Sequence, residues 1–85
     1  MPQRNASELK RRLAVHAINL SGYKADLEKA EKFRTEASDR GDNFDASLHQ
    51  EIADSHRNKI EFIKDLIVQD AKALAEIQSI EDEAK

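Results

Sequence analysis

Ser38-Asp39-Arg40-Gly41-Asp42-Asn43 is the one strong punctuation mark in this 85-residue chain. Gly41 suits the left-handed backbone position just past a helix end, where a side chain is unfavourable. Asp42, Asp45 and Ser47 each offer a short acceptor to the free N–H groups that open a second helix. Ser47 with Gln50 also has the spacing of a capping box. Elsewhere helix breakers are nearly missing: Pro2 precedes any helix, and Gly22 is the only other glycine. Asn5 followed by Glu8 spells a capping box at the start. The spacing predicts helix 1 over about 6–38, a turn over about 39–45 and helix 2 over about 46–82. Each helix is then about 50 Å long at 1.5 Å per residue. A connection this short folds the second helix back antiparallel to the first. The expected fold is all-α, an antiparallel two-helix hairpin with coiled-coil character, forming a single domain over residues 1–85.

Apolar periodicity says what each helix packs with. In helix 1, Leu9, Leu13, His16, Leu20, Tyr23, Leu27, Ala30, Arg34 and Ala37 recur four and three apart, an a/d seam with polar members. Val15, Ile18, Gly22, Ala25 and Phe33 form a smaller strip away from that seam. Helix 2 is apolar over about half its circumference. Leu48, Ile52, Ile60, Ile63, Leu66, Ile67, Leu74 and Ile77 are its expected centre. Phe62, Ala73 and Ile80 extend one edge, and Ala53 and Ala71 the other. One partner helix covers less than that, so a lone hairpin leaves apolar surface wet. Dimerisation into a four-helix bundle is the expected remedy. The expected outer surface combines Val15, Ile18, Gly22 and Ala25 with Ile60, Phe62, Ile67 and Ile80.

Composition agrees. Charged residues make up 36% of the chain, cysteine is absent and tryptophan is absent. Neither disulfides nor thiolate metal sites can supply stability that a small core lacks. Residues 1–40 hold nine Lys/Arg and six Asp/Glu; residues 41–85 hold five and eleven; these give +3 and −6, summing to −3. An antiparallel hairpin sets the basic half beside the acidic half, with Lys10-Arg11-Arg12 expected near Glu76, Glu81, Asp82 and Glu83. No apolar run approaches the ~20 residues that span a bilayer, and no secretory signal is recognisable. A cytoplasmic location is expected, with signal-less export as the alternative.

Two polar residues interrupt the apolar faces informatively. With the turn centred near Asp42 or Asn43, facing residues should have numbers summing to about 85. His16 and Asp70 fit, so they are expected to meet across the seam and to fix its register, as polar a positions do in coiled coils. His49 and His56 lie two turns apart, about 10.5 Å, too far to share a metal by themselves. Arg40-Gly41-Asp42 spells an adhesion tripeptide, but the helix stop explains its glycine. Asn5-Ala6-Ser7 and Asn19-Leu20-Ser21 match the glycosylation sequon within or beside a helix. Lys10-Arg11-Arg12 points in three directions and reads as a solvated charged end.

No phosphate loop, nucleophile elbow or paired carboxylate in a cleft is present. The expected function is a non-enzymatic protein–protein interaction module: adaptor, escort or small inhibitor. It is expected to bind itself or a helical partner, without cofactor, metal, membrane or small-molecule substrate, and with nucleic acid disfavoured. In length and helix–turn–helix layout the chain resembles the secreted WXG100 and LXG-associated hairpins. Its turn reads Arg40-Gly41-Asp42 rather than Trp-x-Gly, and the acidic-aromatic export signal of that family is missing. The architecture is also similar to Rop-type RNA-binding four-helix bundles. Here Arg4, Lys10, Arg11, Lys24 and Lys32 would supply the basic surface, interspersed with acidic residues.

Overall fold

The computed structural model describes residues 5–83, and its two helices are α1 (Ala6–Asp39) and α2 (Asn43–Glu83). They lie antiparallel in a slender hairpin of 66 × 20 × 15 Å. The connection is shorter than the spacing predicts. It spans only 40–42, because α2 begins three residues early.

Each end has a physical cause. The Asn5 side chain accepts a hydrogen bond from the Glu8 backbone N–H at 2.7 Å and opens α1. At the other end Gly41 takes φ 77°. Its N–H donates to the Ser38 carbonyl at 3.0 Å, and the Asp42 N–H donates to the Ala37 carbonyl at 2.9 Å. This is the Schellman arrangement, which satisfies the last carbonyls of a helix. Asp42 then caps α2 by accepting from the Asp45 N–H at 3.0 Å. Of the three candidate caps, Asp42 therefore acts, and Asp45 and Ser47 lie inside the helix.

The core is one narrow seam. Leu9, Ala30 and Ala37 are buried from α1; Ala53, Ile60 and Ile63 are buried from α2. The small members, Ala30, Ala37 and Ala53, occupy the half near the turn. Ile60 and Ile63 sit near mid-length, and Leu9 lies toward the open end. Leu13, Leu20, Leu27, Ile67, Leu74 and Ile77 are half-buried along the same line.

This distribution corrects the expected centre of the α2 face. Leu48 and Ile52 are exposed, while Ala53 is fully buried. Alanines let the helix axes approach closely near the turn. At such a spacing the larger Leu48 and Ile52 side chains point out of the seam. Half-buried His49 and His56 take the inward positions beside Ala53.

The two broad faces of the hairpin differ. One carries an interhelical polar network. Arg34 Nη1 donates to Gln50 Oε1 at 2.9 Å, and Arg57 bridges Glu31 Oε1 at 2.6 Å and Asp54 Oδ1 at 2.8 Å. The other face is largely apolar.

Candidate interaction face

The apolar face is built mainly by α2. Phe44, Leu48, Ile52, Phe62, Leu66, Ala73 and Ile80 fall on one stripe, with Ser55, Lys59, Gln69 and Glu76 completing its steps of three and four. Lys59 and Glu76 are the charges on it. Phe44, Phe62 and Ile80 are 83%, 65% and 65% exposed. This stripe is a second heptad row, turned about a quarter of the helix away from the row that meets α1. It runs for about 54 Å, since residues 44 to 80 rise 1.5 Å each.

α1 carries a shorter exposed strip. Val15 and Ile18 are exposed, Ile18 to 71%, and Gly22 and Ala25 are exposed beside them. A Cβ built on Gly22 meets nothing within 4 Å, so nothing inside the hairpin requires glycine there. Nearer the turn, Phe33 lies 5.4 Å from the His49 ring by centroids.

Two shallow grooves run between the stripe of α2 and the Asn19, Tyr23, Asp26 and Phe33 side of α1. One, of about 290 Å³, is lined by residues including Tyr23, Lys59, Phe62 and Leu66. The other, of about 270 Å³, is lined by residues including Lys29, Phe33, Ile52 and His56. In the first, the Lys59 ammonium sits 5.6 Å from the centre of the Tyr23 ring, and Tyr23 in turn neighbours His56. Buried His56 Nδ1 has no hydrogen-bond partner.

Of the expected surface residues, Val15, Ile18, Gly22, Ala25, Phe62 and Ile80 are exposed. Ile60 and Ile67 need correction. Ile60 is buried against α1 and Ile67 is half-buried. Both belong to the seam within the hairpin, because their angular positions coincide with that of Ile63 and not with that of Phe62.

The seam holds a polar cluster. His16 Nε2 lies 3.2 Å from Asp70 Oδ2, and Arg12 Nε donates to the same oxygen at 3.0 Å. Asp70 is 1% exposed. Arg12 is the residue that periodicity missed. The available signal was its place four residues before His16, one turn back on the same face. Residue type alone groups Arg12 with Lys10 and Arg11, opposite the acidic end of α2. In the structure it turns inward to Asp70, while Lys10 and Arg11 stay exposed. A buried carboxylate is costly unless paired, and two cationic or hydrogen-bonding groups at this distance satisfy it.

His49 Nε2 lies 3.4 Å from Asp45 Oδ1, an i,i+4 contact within α2. Among the described residues no group of three His, Cys, Asp or Glu is placed to hold a metal ion. Among them, too, no helix is long and apolar enough to cross a membrane. Exposed Lys10, Arg11, Lys24 and Lys32 alternate on α1 with exposed Glu8, Asp26 and Glu28. No protein-family model, curated protein or solved structure matches the chain.

Proposed function

We propose that this protein is a non-enzymatic interaction module that works by helical packing, its apolar face docking on another helical surface. The observation that carries this reading is the second heptad row of α2. A helix with one partner needs one row; α2 has two, and α1 occupies only the first. A mainly apolar heptad row with a few polar members is the composition of a helix–helix interface. The polar network on the opposite face gives no comparable reason for a partner. The grooves are shallow and open rather than enclosing, which suits side-chain knobs better than a reacting small molecule.

The test is a single charge placed in the middle of the row. Phe62→Glu should abolish both self-association, read by sedimentation, and binding of a hydrophobe-sensitive dye. Helix content by circular dichroism should stay within a few per cent of native, since Phe62 supports no packing inside the hairpin. Association and dye binding that survive Phe62→Glu would remove the reading.

A further inference from the structure

Resting on that reading, we infer that the occupant of the apolar face is a second copy of this chain, stacked with both turns at the same end. In that arrangement the two-fold axis runs along the hairpin, and each α1 lies on the partner's α2.

Charge decides between the possible pairings. The apolar strip of α1 ends on Arg11 and Lys29, which continue its steps of three and four, and Lys29 lines the groove beside Phe33 together with Asp26. The stripe of α2 carries Glu76 and is flanked on its outer side by Glu51 and Asp65, with Lys72 in the same flanking row, all exposed. Charges in and beside a packing row set partner and orientation in coiled coils. With the turns together, residues at one level again have numbers summing to about 85. Arg11 then comes level with Glu76 of the second copy, and Lys29 comes within about two turns of Glu51. Every such contact occurs twice, so the surface is self-complementary as a two-fold dimer requires. Placing the turns at opposite ends sets α2 on α2 instead. The acidic flanks of a −6 half then face each other, and the basic flanks of the +3 half do the same.

Shape agrees with charge. Val15, Ile18 and Gly22 lie level with Leu66 and Gln69 in the hairpin register. A second copy placed this way sets the bulky part of its α2 row over the α1 segment with the smallest side chains. The open space above Gly22 admits that approach.

The test uses the full chain, which has no native cysteine. Ser38 is exposed beside the turn, so a nitroxide on Ser38→Cys reports where the two turns sit. Turns together predict a label separation below about 35 Å, from helices about 10 Å apart plus label arms. Turns at opposite ends predict a separation approaching the 66 Å length of the hairpin. A charge swap supplies the second measurement. Arg11→Glu with Lys29→Glu should raise the dimer dissociation constant about tenfold. Adding Glu51→Lys and Glu76→Lys to the same chain should restore it.

A dimer with the short separation and the rescued swap supports the inference. A dimer with the long separation, a swap without rescue, or any assembly larger than two overturns it while the packing reading stands. A monomer whose dye binding is lost in Phe62→Glu also overturns it, because the face is then real and its occupant is another protein. A monomer that binds no dye removes both.

Discussion

His16 and Asp70 stand 54 positions apart in the sequence and 3.2 Å apart across the seam. That one distance sets the register of a hairpin whose other interhelical contacts obey the same rule. Arg34 with Gln50 and Glu31 with Arg57 have numbers summing to within a few of 85. A coiled-coil seam of leucines and alanines tolerates sliding by a turn, since one apolar knob resembles the next. A buried carboxylate does not, because a slip leaves it without donors.

Asp70→Ala should therefore lower the unfolding free energy by about 2–4 kcal/mol, far more than an exposed ion pair contributes. Urea unfolding of the variant at a fixed protein concentration measures it. A loss below about 0.5 kcal/mol would show that the cluster is energetically idle.

The identity of the third member leads to a comparison of apolar replacements. His16→Leu with Asp70→Leu removes the carboxylate but leaves Arg12 beside an apolar neighbour. Adding Arg12→Leu should recover stability to the native level or above, since packed apolar groups often match a buried ionic cluster. The same variant should lose register, seen as extra resonances or broadened lines in NMR spectra. If the triple variant is no more stable than the double, Arg12 is not part of the cluster energetically.

Gly41→Ala tests the turn. Its φ of 77° lies where an L side chain crowds the backbone, and the predicted loss is about 1 kcal/mol. For a domain of this size that lowers Tm by roughly 4–8 °C. An unchanged Tm would mean that the Schellman turn relaxes without penalty.

Gly22→Ala separates the isolated hairpin from its assembly. Glycine within a helix is about 1 kcal/mol less favourable than alanine, and the added methyl meets no atom within 4 Å. The variant should gain about that much stability at concentrations where the chain is monomeric. It should also associate more weakly than native, because the methyl enters the space the second backbone needs. Equal or tighter association would place Gly22 outside the interface.

Much of this was legible in the residues themselves. The unbroken segments on either side of Gly41 announced two helices. Leu9, Leu13, Leu20, Leu27, Ala30 and Ala37 announced the seam of α1, because a helical period of 3.6 projects such a row onto one side whatever it later meets. The sum rule that pairs His16 with Asp70 needed only the position of the turn.

Three features needed the folded chain. Which of Asp42, Asp45 and Ser47 caps α2 depends on how many residues Gly41 requires to reverse direction, and residue type does not encode that. Whether Arg12 joins Asp70 or faces solvent depends on the angle at which it leaves α1. The division of the broad apolar arc of α2 was the largest decision. Periodicity marks an arc of half a helix but not where one row ends and the next begins. Ala53, Ile60 and Ile67 share one heptad position, and the rotation of α2 that buries Ala53 and Ile60 against α1 leaves Leu48 and Ile52 facing outward. The sequence by itself determined that α2 has more apolar surface than one helix can cover. Only the tertiary packing decided which part of that surface is left facing out, because the answer depends on the distance and rotation between two helices rather than on the pattern along either one.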